Sequence, residues 1–328
     1  MATSGKQFLS ATAADIIKEA LQLVGVLAEG ESVNATTEAD CIRSLNYMVK
    51  HWQGKHMGNL WAIEPLVLFL KKDQREYTIS ATSTDYFCKH SDLIITHVQT
   101  AAAASDTSIV LDSVTGISDN DKIGIQTTNN VVEWFDVSGS PSGNTVSFDG
   151  GTGSLQAAAA VDNIVYVYTP VAATYARPLQ IIDAVLRNKS TASDNLIGYD
   201  TPVQIIARED FNDLAVKTTT GRVNQIYFNP ELLTAKIQVW PTTNDETEYL
   251  VMWVRREIEF FDANSQDVDY PQEWYQALAW NLAMLVAPKW GMVDKEKFGV
   301  ISAFATQFLE EAASNDTEHY LLLRPNNE

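Results

Sequence analysis

Residues that could do chemistry are few and widely separated in this chain. Of its five histidines, His51 and His56 are the closest pair, but a spacing of five places them on different faces of a helix. We therefore do not expect them to share a metal ion. The two cysteines, Cys41 and Cys88, provide neither a thiolate cluster nor a disulfide framework, and both are expected to be buried thiols.

Closely spaced acids and one glycine-rich stretch are the remaining candidates for a site. The acids near Asp119 and those between Asp262 and Asp269 lack the loop pattern of an EF-hand. Gly150–Ser154 lies between β-like segments, so it is predicted to be a turn and not a phosphate cradle. With 42 acidic residues, the sequence selects no carboxylate pair for glycoside hydrolysis. We predict no catalytic residue, no metal and no cofactor.

Charge and hydropathy exclude two further classes of protein. The 42 acidic residues exceed the 23 basic ones, which gives a net charge of −19 and an isoelectric point near 4.6. Such a surface repels a phosphate backbone, so tight nucleic-acid binding is not expected. No apolar run reaches the roughly 20 residues that a bilayer span needs, and no secretory signal opens the chain, so we expect no membrane association.

The N-terminal part of the chain is predicted to be helical. Thr12 with Asp15, and Thr37 with Asp40, have the spacing of residues that cap a helix and place negative charge in its first turn. A short loop separates the two amphipathic segments, so we predict an antiparallel helical hairpin. The sequence from Pro65 to Ile79 then has two apolar runs around a polar turn, which is typical of a β-hairpin.

Composition changes between residues 92 and 169, where short Val- and Thr-rich runs alternate with turn residues. This segment is predicted to be a small all-β module. It has nine acidic residues and a single base, Lys122, and hence a net charge of −8. β-like segments follow, then an apolar helix after Pro271 and an amphipathic helix after Asp294.

The sequence thus predicts an α+β fold in four segments. The N-terminal helical hairpin and C-terminal helices are expected to pack with a β-region, plus the inserted small all-β domain. The segments are 1–91 with the helical hairpin and β-hairpin, 92–169 with the acidic β-module, 170–315 with the β-region and C-terminal helices that complete the main body, and 316–328 with the C-terminal tail.

Five segments together resemble the head-to-tail adaptor family of short-tailed bacteriophages, also called tail accessory factors or packaged-DNA stabilisation proteins. They span the main body but not the insert, so the chain resembles a long member of the family. The segments are DIIKEALQLVGVLAEGE at 15–31, TEADCIRSLNYMVKHWQ at 37–53, PLVLFLKKDQREYTI at 65–79, IYFNPELLTAKIQVWP at 226–241 and YPQEWYQALAWNLAMLVAPKWG at 270–291.

This resemblance implies a structural virion protein and no enzymatic activity. The expected assembly is a homo-oligomeric ring, twelvefold like the portal protein above it, at the head-tail junction. The ring would extend the DNA channel, help to retain packaged DNA until genome ejection, and provide the platform for tail nozzle or fibre proteins. DNA would pass through without tight binding, and free subunits would occur in the host cytoplasm during assembly.

The resemblance also raises expectations about particular residues. The terminal apolar island is expected to dock on the portal, although it could instead fold back on its own core. It consists of Tyr320, Leu321, Leu322, Leu323, Arg324 and Pro325. Four tryptophans are expected to pack between subunits, although core packing within one subunit remains open. They are Trp52, Trp274, Trp280 and Trp290.

Two other functions remain alternatives at this stage. A carbohydrate-binding virion module would use exposed aromatic residues of the insert, such as Trp134, and a cell-wall hydrolase would need a catalytic carboxylate. The insert itself either contacts a tail fibre, nozzle or decoration partner or is a passive surface insertion. The acidic residues either line the channel and repel DNA or simply solvate the outer surface.

Overall fold

A computed structural model describes residues 9–55, 60–80, 83, 85–148, 153–171, 176–188, 199–291 and 294–316. Within them the chain has five α-helices and fifteen β-strands, and the predicted α+β class is confirmed. The helices are α1 Ala13–Val24, α2 Ala35–Gly54, α3 Arg208–Asp213, α4 Tyr275–Val286 and α5 Lys295–Asn315. None of these described helices has both the length and the apolar character needed to span a membrane.

The chain divides into two compact units, which we call the helical unit and the β unit. The helical unit combines Met1–Ala62 with Glu257–Glu328, and the β unit is Ile63–Arg256. This division differs from the predicted boundaries, because residues 63–91 group with the β-rich part and residues 257–315 group with the N-terminal helices. Both ends of the chain form amphipathic helices, which bury their apolar faces against one another.

The predicted N-terminal capping residue is confirmed for α1 and wrong for α2. The Thr12 hydroxyl accepts a hydrogen bond from the Asp15 N–H at 3.3 Å, and the Asp15 carboxylate accepts one from the Thr12 N–H at 2.9 Å. These two bonds form a capping box, as the spacing predicts. Helix α2 starts directly after Asn34, whose side chain caps it, so Thr37 lies inside the helix. Asparagine is the stronger capping residue, and the helix begins at the better cap.

Helix α4 is the centre of the helical unit and contacts α1, α2 and α5. Its apolar residues point in nearly all directions, as expected of a helix surrounded by partners. One buried polar side chain, Asn281, joins α4 to α5. Its amide donates to the Ala277 carbonyl in α4 at 2.9 Å and to the Ala305 carbonyl in α5 at 2.8 Å. Both hydrogens of the amide nitrogen therefore have acceptors, which offsets the cost of burying this donor.

The break between α4 and α5 follows the prediction. A 3₁₀ turn at Ala287–Trp290 includes Pro288 and ends at Gly291, whose φ of 70° lies in the left-handed region. The Asp294 carboxylate then accepts hydrogen bonds from the first backbone N–H groups of α5 at 3.0 and 3.3 Å. The sequence signals for the end of one helix and the start of the next are therefore local.

The β unit contains three sheets. Its strands are β1 Ile63–Phe69, β2 Glu76–Ile79, β3 Phe87–Lys89, β4 Leu93–Thr100, β5 Ser108–Leu111, β6 Lys122–Gln126, β7 Val132–Asp136, β8 Thr145–Ser147, β9 Ile164–Tyr168, β10 Gln180–Asn188, β11 Tyr199–Pro202, β12 Gln204–Ile206, β13 Gln225–Pro230, β14 Ala235–Trp240 and β15 Glu248–Arg255. The first sheet has the order β11-β10-β15-β1-β3, the second β12-β13-β14-β2, and the third β7-β6-β9-β4-β5-β8.

The predicted β-hairpin between residues 65 and 79 is wrong. Strand β1 pairs with β15 and β3, whereas β2 pairs with β14 in the second sheet. The Tyr77 hydroxyl accepts a hydrogen bond from the Lys71 N–H at 2.8 Å and so holds the turn that leads from one sheet to the other. The second half of β1 is buried, and a buried strand needs a hydrogen-bonded neighbour on each side. Distant strands supply both neighbours.

The third sheet is formed by the inserted segment alone. All six of its strands lie between Leu93 and Tyr168, within the range 92–169 expected for the insert. It buries its own apolar core, which includes Ile123 and Val165. Several of its turns contain residues with positive φ, such as Asn120 at 68°. Asparagine tolerates this conformation, which explains why polar turns interrupt the apolar runs so regularly.

The third sheet packs on the first through aromatic side chains. We call these residues the aromatic cluster: Phe69, Tyr86, Trp134, Tyr166, Tyr168 and Tyr249. A hydrogen-bonded carboxylate adds to this contact, because Glu246 accepts from the Lys72 N–H at 2.8 Å and from the Val132 N–H of β7 at 3.1 Å. The insert is therefore held against the rest of the β unit by buried contacts as well as by its two chain connections.

Candidate assembly surface

Two of the four tryptophans expected between subunits lie in the core of the helical unit. Trp52 on α2 and Trp274 just before α4 are only 6% and 3% exposed, and their ring centroids lie 6.1 Å apart. This burial favours core packing within one subunit, the alternative left open above, over a contact with a neighbouring copy. The two rings fill the space between helices of one subunit, because the apolar stripe of an amphipathic helix is covered first by its own chain.

Trp280 is different, because it lies at the edge of this core. Its ring on α4 contacts two rings of α5, Phe304 at 5.0 Å and Phe308 at 5.9 Å between centroids. The two phenylalanine rings stack on each other at 5.9 Å. Trp290, the fourth tryptophan, is partly buried and packs against the core from the turn after α4.

An exposed apolar surface runs along α5 beside Trp280. We call it the aromatic stripe, and it consists of Trp280, Val300, Phe304 and Phe308. Val300 is 53% exposed and Phe304 is 40% exposed. The spacing of four places the three α5 residues on one side of the helix. Exposed aromatic surface of this kind is typical of protein interfaces, since aromatic rings bury a large area at low cost in side-chain entropy.

The charge beside the aromatic stripe is negative. Between Val300 and Asp316 the chain has no lysine or arginine, whereas Glu310, Glu311 and Asp316 lie in this range. Glu311 follows Phe304 by seven residues, so it shares the side of α5 that carries the stripe. At its Phe308 end the stripe therefore suits a partner with apolar side chains and positive charge, whereas Lys297, seven residues before Phe304, lies at the other end.

The helical periodicity of the sequence does not identify Val300 and Phe304, which are two of the four residues of the aromatic stripe. The amphipathic pattern of α5 selects Ile301 and Ala305 as core residues, and both are buried. Val300 and Phe304 are additional apolar residues that lie off that face. The signal that could have found them is this excess, because a surface helix needs only one apolar stripe to cover its own core.

The residues expected to dock on the portal, Tyr320 to Pro325, lie outside the described residues. Their role stays a prediction. The helix that precedes them, α5, ends at Asn315, so the expected docking segment follows directly after the helix that carries the aromatic stripe.

The closely spaced acids of the insert hold turns together. The Asp121 carboxylate accepts from the Ser118 N–H at 2.7 Å and from the Thr169 hydroxyl at 2.9 Å. Asp119 accepts from the Gly139 N–H at 2.6 Å. Short polar side chains commonly satisfy backbone groups of loops in this way. Within the described parts of the chain, no group of three or more His, Cys, Asp or Glu residues is placed to hold a metal ion.

The two cysteines, which are among the remaining candidates for chemistry, are both buried. Burial raises the pKa of Cys41 to about 11 and raises that of Cys88 as well, so both thiols stay protonated at neutral pH and are poor nucleophiles. His51 lies exposed on α2, while His56 and Gly150 fall outside the described residues.

One surface cavity of the β unit has a volume of about 350 Å³. Its lining includes Asp85, Tyr86, Lys122 and Tyr168. The two charged side chains are engaged within the chain, because Lys122 pairs with Asp136 and the Asp85 carboxylate accepts from the Thr78 N–H at 2.7 Å. These contacts give both charged groups a structural role within the described part of the lining.

Trp134 does not form an exposed platform for a sugar ring. Its ring stacks on Tyr86 and contacts Phe69, with centroids 4.4 and 4.7 Å apart. The carbohydrate-binding alternative was expected to use an exposed ring at this position, whereas Trp134 is partly buried; that function stays a prediction. Its ring is used to join the third sheet to the first.

Comparisons with known proteins do not assign this chain to a family. No protein-family model matches the chain, and no curated protein shows significant similarity to it.

Proposed function

We propose that this chain is a structural subunit that assembles with copies of itself into a ring, the head-to-tail adaptor of a short-tailed phage. The ring would bind below the portal, extend the DNA channel, help to retain the packaged genome and give the tail nozzle or fibres a platform. The proposal rests on the resemblance of the terminal helical segments and of the strand segments at 65–79 and 226–241. The structural observation that favours it is the aromatic stripe, an exposed interface-like surface within the closing helices.

The organisation of the helical unit supports this proposal. Segments from both ends of the chain, which carry most of the resemblance, pack around α4 in one unit. The stripe lies on the outer side of that packing, where Trp280 of α4 meets Phe304 and Phe308 of α5. A subunit built to join neighbours needs a rigid surface of this kind, because preorganised side chains lose less entropy on association.

The net charge is compatible with a channel protein. A charge of −19 per chain disfavours adhesion of DNA phosphates, so DNA could pass along such a ring without being held. In contrast, a protein that retains DNA by direct binding would need a basic surface.

Mixing the purified chain with the portal protein of the same virion tests the proposal. Electron microscopy should show a second ring stacked on the portal. The variant Phe304→Asp/Phe308→Asp should fail to form this ring, because it places charge in the aromatic stripe, whereas Thr306→Asp on another side of α5 should assemble normally. A chain that stays single and ignores the portal at every concentration, or that turns over a substrate efficiently, contradicts the adaptor function.

Removing Tyr320 to Glu328 separates the tail from the ring contacts. Under the proposed function the shortened chain keeps its subunit contacts but binds the portal more weakly. Undiminished portal binding would remove the docking role of the terminal apolar island while leaving the ring intact.

A further inference from the structure

The turn between β13 and β14 exposes two neighbouring leucines. Leu232 is 88% exposed and Leu233 is 79% exposed. A turn that only reverses the chain uses Gly, Asn, Asp or Ser, whose backbone and side chains suit the turn. Two adjacent large apolar side chains at the end of a hairpin are instead suited to contact another surface. We call residues 231–234 the hairpin tip.

The hairpin tip is held rigidly by its own polar contacts. The Glu231 N–H donates to the Thr234 carbonyl at 2.9 Å, and the Thr234 hydroxyl donates to the Glu231 carboxylate at 3.1 Å. Lys236 forms an ion pair with the same carboxylate at 3.4 Å. The Leu232 carbonyl accepts from the Arg177 guanidinium at 3.4 Å. The leucines are therefore held outward before any partner arrives, which lowers the entropy cost of binding.

Two arginines beside the hairpin have neutral partners. The Arg177 guanidinium donates to the carbonyls of Leu232 and Pro178. Arg208 donates to the Tyr227 hydroxyl and to the Asn229 side-chain oxygen, both at 2.7 Å. Among the described residues, neither arginine has a carboxylate at ion-pair distance. Since a guanidinium has five N–H donors, both retain donors for acidic groups of a partner.

We propose that the hairpin tip docks on the aromatic stripe of a second copy of this chain. The leucines would cover Phe304 and Phe308, and the two arginines would lie beside Glu311 of that copy, the acid on the same side of α5 as the stripe. The charge complementarity favours this occupant, because the hairpin offers apolar side chains with positive charge and the stripe offers apolar side chains with negative charge. This inference rests on the proposed function, since it names the contact between copies of the ring.

A contact of this kind is head-to-tail. Each copy would use its tip in one contact and its stripe in another, so that the chain of contacts either closes into a ring or continues as a filament. A face-to-face contact between two stripes would instead stop at a dimer. The two arrangements therefore predict different products when defective copies are mixed.

Two variants test the contact directly. Leu232→Asp/Leu233→Asp removes the tip, and Phe304→Asp/Phe308→Asp removes the stripe. Each variant alone should be monomeric by analytical ultracentrifugation under conditions where the wild type forms assemblies larger than a dimer. An equal mixture should give a dimer and nothing larger, because only one intact tip meets one intact stripe. Two control variants, Val161→Asp and Thr306→Asp, each place an aspartate at another exposed position. Both should assemble like the wild type.

Charge reversal provides a second test that does not depend on the apolar residues. Arg177→Glu/Arg208→Glu should weaken assembly by about tenfold or more, as expected of close charge pairs at an interface. Adding Glu311→Arg to the same chain should restore assembly. Circular dichroism of each variant shows whether it is folded, and a folded charge-reversed chain that assembles normally overturns the inference.

Other results would also overturn it. The tip variant could assemble as well as the wild type, as a face-to-face contact between two stripes would require, or the mixture could stay monomeric while the wild type assembles. A chain truncated after Asp316 could assemble more readily and no longer depend on Leu232. That result would mean that the chain's own C-terminal segment covers the stripe. A wild type that stays monomeric at the highest soluble concentration rejects this contact as well, whereas the adaptor function survives that result if a ring still forms on the portal.

Discussion

Trp134 and Tyr86 stack with ring centroids 4.4 Å apart and an interplanar angle of 18°. Trp134 belongs to β7 of the third sheet, and Tyr86 directly precedes β3 of the first sheet. Phe69 of β1 contacts the same tryptophan ring at 4.7 Å. The insert and the sheet that it interrupts in sequence therefore share a partly buried aromatic contact, and we expect them to unfold together.

Replacing Trp134 by alanine should uncouple the third sheet from the first. Loss of the ring is expected to reduce the free energy of unfolding by about 3 kcal/mol, as for other large-to-small changes. Because the ring contacts both sheets, differential scanning calorimetry should then show separate transitions for the two parts of the β unit. Phe135→Ala is the matched control, since Phe135 stacks on Phe148 inside the third sheet at 4.8 Å. That variant should lower the unfolding temperature without splitting the transition, and an unsplit transition in Trp134→Ala contradicts the coupling.

The ring of Trp134 is predicted to leave no room for a side chain at position 124, where the chain has glycine. A Cβ atom at this position would lie 2.7 to 2.8 Å from three ring carbons of Trp134. Gly124→Ala should therefore cost about 1 to 3 kcal/mol of unfolding free energy by urea titration, as overpacking commonly does. The same change should cost much less in the Trp134→Ala background. Gly54→Ala, where nothing lies within 4 Å, serves as a control, and equal costs in both backgrounds would exclude the ring as the cause.

The ion pair between Arg187 and Asp200 should make stability depend on pH. Two hydrogen bonds of 2.7 and 2.8 Å join β10 to β11, and these bonds hold the pKa of Asp200 below its ordinary value of 3.8. A lowered carboxyl pKa stabilises the fold above that ordinary value, and the stabilisation is lost as pH falls through the folded-state pKa. Asp200→Asn should cost about 1 kcal/mol at neutral pH, because the pair is partly exposed.

The test of this pair compares urea titrations at several pH values. The difference between wild type and Asp200→Asn should shrink as the pH falls below the ordinary carboxyl range. Asp183 lies on β10, the strand of Arg187, but outside the ion pair. The variant Asp183→Asn should therefore not reproduce this trend. A difference that is the same at neutral and acidic pH means that the aspartate charge is not responsible.

Asn281 is expected to fix α5 against α4 and hence to support the aromatic stripe. Asn281→Ala should cost about 1 to 3 kcal/mol of unfolding free energy, because it removes a buried hydrogen-bonded group. Asn281→Asp should cost more, since its carboxylate would face the carbonyl oxygens of Ala277 and Ala305. Chemical denaturation measures both values, with exposed Gln276→Ala on α4 as control. An aspartate variant as stable as the alanine variant would show that the amide donors are not what Asn281 contributes.

Local signals in the sequence determined much of the secondary structure. The capping spacing of Thr12 and Asp15, the break at Pro288 and Gly291, and the start of α5 at Asp294 each depend on neighbouring residues, so they can be predicted from a few letters. The all-β character of residues 92–169 is likewise a matter of composition and turn residues. These features follow from backbone preferences that act over one or two turns of chain.

Only the tertiary structure decided which apolar surfaces are covered and by which partner. The pattern around β1 and β2 indicates two strands, but whether they pair depends on β15, β3 and β14, which lie elsewhere in the chain. Trp52, Trp274 and Trp280 are all tryptophans in apolar helical segments, yet the first two are enclosed and the third borders an exposed stripe. Periodicity identifies the apolar face of a segment, whereas burial depends on long-range packing that no local pattern encodes.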